Sequence, residues 1–373
     1  MVAGVQYKIA VVIAQVAGYA LSKFIGIRFV SSLRPEQRGL ALLSLAGIAA
    51  LSLLGFAVSP PFFGLFWMFL NGLPLGMAWG LVFGYLEGRR VTEALAALLC
   101  INFIVSSGFV KTVGKYLLVA WQVPEFWMPF LTGMLFLPVL VFCIWYLEHL
   151  PPPSAEDEAA RSPRSAMSAE QRRALFIRYW PGLLLLVGCY LALTMVRDVR
   201  DNFAVELWAE LGWGQKASIL TTAEIPIALL VLAGVGALSW VKDNLRALWF
   251  YHLAMLAGAM LMWGATILFQ QGCLSAVYWM VLSGVGIIFP YILFNGAIFD
   301  RLMATFQEKG NVGFLMYIAD ATGYLGSVAV LLWRNFGVKE LSWVRFFEQL
   351  CLYGAVLLAV LGLLSWRYFR SKK

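Results

Sequence analysis

The residues able to do chemistry are few and lie in apolar surroundings. Lys111 and Lys115 stand four apart, so a helix puts them on one face. Two ammonium groups there form a cationic wall for an anion, with Lys111 the deeper; Lys115 could instead snorkel to the outer interface. Further along, Arg197-Asp198-Val199-Arg200-Asp201 holds four charges in five residues. Arg197 and Asp201 have the i,i+4 spacing at which they neutralise each other. If Arg197 instead faces a cavity, with Arg200 nearby, its fixed fork of donors suits a carboxylate or phosphate. Glu224 and Asp320 are isolated carboxylates within apolar runs. Each is either the counter-ion of a buried Lys or Arg or a carrier of protons, and protonation could release a cationic partner. Asn102, Asn295 and Tyr291, the last directly after Pro290, add uncharged polar groups at depth.

Other chemistries find no support. His149 and His252 are too far apart for a metal pair, and neither HExxH nor GxSxG occurs, so no metal, cofactor or enzymatic role is expected. Gly108 and Gly114 flank Lys111, but their spacing does not match a phosphate-binding loop. Cys100, Cys143, Cys189, Cys273 and Cys351 all fall in apolar runs without CxxC spacing; buried, reduced thiols are expected.

The elements that carry these residues are membrane spans. Of 373 residues 61% are hydrophobic and 13% charged, against about 45–50% and 25% in soluble domains. Runs long enough to cross a bilayer occur at about 8–30, 39–58, 62–86, 93–120, 127–147, 180–201, 217–240, 247–270, 274–299, 312–334 and 347–367. Eleven spans are therefore predicted in an all-α polytopic fold. Five form an N-terminal bundle (1–147) and six a C-terminal bundle (179–373). The linker at 148–178 begins Pro-Pro-Pro and continues acidic, then basic. Within it, Ser168 and Gln171 fit a capping box for a short basic amphipathic helix, Ala169 to Tyr179.

The net charge of +8 resolves by position. Arg28, Arg34, Arg38, Arg89, Arg90, the linker arginines and the C-terminal Arg367, Arg370, Lys372 and Lys373 fall on one side. The positive-inside rule makes that side cytoplasmic, with the linker and C-terminus inside and Met1 outside. The charge orients the chain in the bilayer and calls for no nucleic acid. Met1 to Lys8 has no basic n-region or cleavage site. Five plus six spans thus read as six plus six lacking the first helix. On that count the third, sixth, ninth and twelfth spans (39–58, 127–147, 247–270 and, for the last, 350–366) carry no Asp, Glu, Lys or Arg, while Lys23, Lys111, Lys115, Arg197, Glu224 and Asp320 lie on the others. Two bundles of three-helix units, each sending one helix to lipid, give this pattern. Gly72, Gly76, Gly80, Gly84 and Gly88 recur every fourth residue and predict close helix packing. Pro74 and Pro290 are candidate hinges.

Several stretches resemble the major facilitator superfamily. Gly18-Tyr19-Ala20-Leu21-Ser22-Lys23-Phe24-Ile25, followed by Arg28, Arg34 and Arg38, takes the place of that family's loop after the second helix. Ser22-Lys23 stands where the family has Asp-Arg, and the resemblance implies a gating role for Ser22, Lys23 and Arg28. Within the superfamily, Ser22-Lys23-Phe24, Gly76-Met77-Ala78-Trp79, Arg197, Glu224 and Gly323-Tyr324-Leu325-Gly326-Ser327 resemble the organophosphate:phosphate antiporters. Over essentially its whole length the chain is more similar to an uncharacterised bacterial family of major-facilitator-like membrane proteins. Residues 197–204 and 22–27 carry that likeness.

The expected function is secondary active transport of a small organic anion, phosphorylated or carboxylated, by alternating access in the bacterial inner membrane. Lys111, Arg197, Arg200, Asn295 and Tyr291 would form the substrate cavity. Asp320 and Glu224 would form the ion-pair switch or proton site, with protons as coupling ion. A monomer in lipid is expected. The rival expectations are a non-transporting receptor or scaffold and an N-terminally truncated, inactive carrier.

Overall fold

A computed structural model describes residues 6–33, 35–86, 92–151, 169–296, 298–306, 313–338 and 340–372. Its helices are α1 (Tyr7–Ser32), α2 (Arg38–Val58), α3 (Gly64–Leu86), α4 (Thr92–Val119), α5 (Met128–Glu148), α6 (Ala169–Asn202), α7 (Ala204–Trp208), α8 (Ile219–Thr222), α9 (Glu224–Ser239), α10 (Asn244–Gln270), α11 (Ala276–Gly296), α12 (Ile298–Thr305), α13 (Gly313–Phe336) and α14 (Trp343–Ser371). Helices occur within each of the eleven predicted segments, and among the described residues eight stretches are long and apolar enough to cross a membrane. The protein is a multi-pass membrane protein. Its large exposed side chains, such as Phe142, Leu229 and Leu325, are then lipid-facing, and burial varies accordingly. Only 11% of the apolar stretch of α5, whose one charge is the terminal Glu148, is buried, against 67% of that of α11.

The chain divides into two compact units. One comprises Met1–Thr92, Phe109–Arg161 and Leu331–Val338; the other comprises Glu93–Gly108, Ser162–Val330 and Lys339–Lys373.

In the first unit α1 lies against α3 at backbone contact. A Cβ at Gly72 would strike the carbonyl oxygen of Gln15, and one at Gly76 would strike the Ser22 hydroxyl. These two members of the glycine stripe therefore make the close approach expected of small residues in lipid; Gly88 lies outside the described residues. Polar side chains reinforce the packing. Gln15 Nε2 donates to Asn71 Oδ1 (2.8 Å), and Asn71 Nδ2 donates to the Ala49 carbonyl (3.0 Å), tying α1, α3 and α2 together. Because the Gln15 backbone cannot retreat, Gly72→Leu should cost more than the roughly 1–3 kcal/mol typical of overpacking. Little of the variant is expected to survive extraction, and size-exclusion profiles in detergent check this.

At one end of this unit Glu148, the last residue of α5, accepts from the Gly39 N–H at 3.0 Å and from the Tyr85 hydroxyl. A carboxylate at the first turn of α2 satisfies an orphan donor and meets the positive end of the helix. Ser22 to Arg28 is not a loop. These residues are the last third of α1, which ends only at the extended Leu33, two residues before Pro35. Between Ser22 and Ser32 nothing but Gly26 weakens the helix, so it continues. Ser22 is buried and donates to the Tyr19 carbonyl at 2.7 Å; the side chains of Lys23 and Arg28 lie outside the described residues.

In the second unit the basic segment expected as a separate short helix is the opening of α6, which runs unbroken through Pro181 to Asn202. Its proposed cap, Ser168, lies outside the described residues. The segment at 217–240 is instead broken, with α8 ending at Thr222 and α9 starting at Glu224. Pro226 explains the break, since it has no N–H for the Thr222 carbonyl. Aromatic stacking fixes two corners, Phe203 on Trp343 (3.9 Å) and Phe269 on Trp279 (4.2 Å). The buried His252 bonds through Nδ1 to the Leu248 carbonyl (2.8 Å) and through Nε2 to the Ser365 hydroxyl (3.0 Å); it fastens α10 to α14. Glu210 accepts from the backbone N–H groups of Trp343 and Val344, both at 2.9 Å, and so caps α14.

The thiols depart in part from expectation. Cys189 and Cys351 are buried, but Cys143 and Cys273 are exposed. Cys143 sits among the exposed Phe142, Trp145 and Tyr146 of α5, where apolar sequence marks lipid exposure instead of a protein core. Cys273 follows Gly272 (φ +73°) in the turn after α10.

Candidate binding and ion-pair site

The second unit gathers most of the candidate residues onto α6 and its neighbours. Tyr190, Thr194, Arg197 and Asp201 follow i, i+4, i+7 and i+11 along α6, one face of a helix. Opposite them α13 presents Asp320, Gly323 and Ser327. Gly323 is what allows the approach, because a Cβ there would come within 3.0 Å of the Thr194 hydroxyl. A Cβ at Gly326 would likewise press on Leu191 and Met195. The Gly-Tyr-Leu-Gly-Ser stretch thus brings two pairs into register about two turns apart, roughly 10 Å. In the first, the Tyr190 hydroxyl donates to Asp320 Oδ1 at 2.5 Å. In the second, the Ser327 hydroxyl donates to Asp198 Oδ2 at 2.6 Å.

Arg197 lies between them. Its Nε and Nη2 donate to Asp198 Oδ1 at 3.0 and 2.5 Å, and its guanidinium lies 4.3 Å from the centre of the Tyr291 ring. Tyr291 on α11 stacks on Tyr190 (5.2 Å, 25°), and their hydroxyls are 3.1 Å apart. A continuous series therefore joins the charges, from Asp198 through Arg197, the Tyr291 ring and the Tyr190 hydroxyl to Asp320. The Arg197 side chain keeps 30% of its surface exposed, against 10% for Asp198. Asp198 occupies only its Nε/Nη2 edge, and Nη1 has no hydrogen-bond partner among the described residues.

The i,i+4 partner anticipated for Arg197 is not the one it takes. Asp201 accepts instead from Ser107 (2.9 Å). Adjacent residues on a helix do not ordinarily face each other. Here Ser327 anchors Asp198 from α13, and the Tyr291 face draws the guanidinium sideways.

Arg200 and Glu224 form a second, deeper pair. Arg200 Nη2 lies 2.9 Å from Glu224 Oε1, with side-chain exposures of 6% and 14%, and 3.4 Å from the Met280 carbonyl. Arg200 Nε is buried and makes no hydrogen bond among the described residues. Gly284 leaves room for this guanidinium, since a Cβ there would lie 3.0 Å from Arg200 Nη2.

Asn295 turns back on its own helix, its Nδ2 donating to the Tyr291 carbonyl at 3.1 Å. Lys111 and the buried Lys115 belong to the first unit. Sequence reading passed over Tyr190, and named Ser327 only as part of the Gly-Tyr-Leu-Gly-Ser stretch, without a role. A tyrosine in an apolar span looks like core, yet Tyr190 lies seven residues before Arg197, two turns back on the same face. Among the described residues no group of three or more His, Cys, Asp or Glu could hold a metal ion.

Long apolar helices with few charges define a polytopic membrane protein, and solved structures give it the major facilitator fold. The chain is similar along 97% of its length to the crystal structure of a nucleoside transporter, NupG, with TM-score 0.63, 14% identity and 90% of that chain covered. A D-xylose-proton symporter matches over 97% of this chain and 88% of its own at TM-score 0.59 and 14% identity. The human organic anion transporter MFSD10 (TETRAN) matches over 94% and 83% at TM-score 0.55 and 14% identity. The chain belongs to DUF5690, a family of unknown function, whose profile matches residues 1–372. No functionally curated protein matches its sequence.

Proposed function

We propose that the protein is a secondary transporter that carries a small organic anion across a bacterial inner membrane. An N-terminal and a C-terminal bundle would alternate access about a site in the C-terminal bundle. The observation that carries this reading is Arg197, a partly exposed guanidinium with one edge on Asp198, its face on Tyr291 and Nη1 open. Planar N–H donors at such an edge match a carboxylate or phosphate. The three structural neighbours move a sugar with protons, a nucleoside and an organic anion by name; the fold accommodates each, and the exposed arginine favours the last. Asp320 and Glu224 are the proton-binding or ion-pair groups in this reading.

The test is uptake by proteoliposomes containing the full chain, with labelled succinate, benzoate and glycerol 3-phosphate beside D-xylose and uridine. Saturable uptake of at least one acid, competed by unlabelled acid, is expected. Uptake confined to D-xylose or uridine sinks the anion assignment. Saturable acid binding without uptake identifies a receptor on the same fold.

A further inference from the structure

We infer that Asp320, Tyr190 and Tyr291 form a reversible hydroxyl relay through which one proton on Asp320 prepares Arg197 to receive its anion. The inference rests on the anion reading above and adds the residues and direction of its proton linkage.

The argument starts from proton counting. A phenol carries one O–H and a carboxylate none. When Asp320 is ionised, the Tyr190 proton must point at Asp320 Oδ1, 2.5 Å away. The 3.1 Å contact between the two hydroxyls is then closed by the Tyr291 proton, directed back at Tyr190. In this state Tyr291 offers an anion no donor. When Asp320 takes up a proton from solution, its own O–H points at the Tyr190 oxygen. Tyr190 turns its proton to the Tyr291 oxygen, and the Tyr291 O–H swings outward. Each hydroxyl only rotates about its C–O bond; one proton enters at Asp320 and no other O–H bond is broken.

The freed donor emerges on the ring over which Arg197 lies, 4.3 Å from its centre. An anion on the open edge of Arg197 then gains a further hydrogen bond. Charge points the same way. Among the described residues the ionisable groups of this cluster are Tyr190, Arg197 and Asp198 on α6, Tyr291 on α11 and Asp320 and Tyr324 on α13. Within it, ionised Asp198 and Asp320 set two negative charges beside Arg197. An arriving anion would add a third, and the proton on Asp320 offsets it. Linkage makes the effect reciprocal, so the bound anion tightens the hold of Asp320 on its proton.

Two readouts on the full chain in lipid test this. In infrared difference spectra without ligand, lowering the pH should produce a carboxylic-acid carbonyl band. The band should be absent from Asp320→Asn and shifted in Tyr190→Phe and Tyr291→Phe. With benzoate as probe, affinity should fall about tenfold for each pH unit above the transition, the slope for one linked proton. Asp320→Asn should abolish that slope, because its amide donates to Tyr190 as the protonated acid does. Tyr190→Phe should flatten the slope to its electrostatic part, because the Tyr291 O–H then has no acceptor at position 190 and stays available to the anion at either pH. No acid band, a band indifferent to Tyr190→Phe, or a slope that survives Asp320→Asn overturns the relay. If benzoate fails to bind while the infrared changes appear as described, the anion reading fails and the relay stands.

Discussion

Arg197→Lys should lower the affinity for the acid substrate proposed above about ten- to a hundred-fold and leave the protein folded in the membrane. The magnitude follows from losing one charge-assisted hydrogen bond, about 1.5–3 kcal/mol. Lysine keeps the charge but offers a compact ammonium in place of a planar fork. It cannot hold Asp198 along one edge, cover the Tyr291 face and leave a further N–H for ligand at once, as Arg197 does. Folding survives because the Arg197 side chain is 30% exposed and Asp198 keeps its bond from Ser327. Paired measurements of acid binding and thermal midpoint in detergent decide the matter. Unchanged affinity removes Arg197 from the binding site; a collapsed midpoint makes it a structural residue.

Glu224→Gln should have the opposite signature, a large loss of stability. The variant strands the Arg200 guanidinium, 6% exposed, among Met280, Gly284 and Ile227. Breaking a buried pair from one side costs about 3–5 kcal/mol, whereas replacing both members by apolar residues is often neutral. The double variant Arg200→Met with Glu224→Met should therefore recover much of the thermal midpoint lost by Glu224→Gln alone. A Glu224→Gln protein as stable as the parent would free Glu224 from a structural role. Proton carriage would then be its remaining assignment.

The two variants show why the fold could be read from sequence and the site only in part. The helical segments announced themselves because twenty apolar residues have few other places to go. Breaks were harder to see. Pro226 ended α8 while Pro181 did not end α6, since a proline's effect depends on what else can satisfy the freed carbonyl. Arg197, Arg200, Glu224 and Asp320 stood out because a charge at membrane depth is costly and so rarely incidental. Their partners did not. The pairing of Arg197 with Asp198 in place of Asp201 is decided by Ser327, 129 residues from Asp198, and by a tyrosine face on another helix. No local spacing encodes either. The stretch Ser22–Arg28 shows the converse error, in which likeness to a loop outweighed an uninterrupted run of helix-forming residues.

The cap that Glu210 supplies bears on how the chain assembles as it is made. The first turn of α14 finds acceptors for its Trp343 and Val344 N–H groups on a side chain synthesised 133 and 134 residues earlier, and Phe203, older still, stacks on Trp343. Emerging from the ribosome after both, α14 thus arrives at a prepared berth, with its register set by a carboxylate and an aromatic plane already in place. Until it docks, α6 and α10 lack their common neighbour, and His252 on α10 lacks the Ser365 hydroxyl. Closure of this unit therefore waits for α14, and quality control in the membrane would meet the unfinished unit as one with its α14-facing surfaces bare.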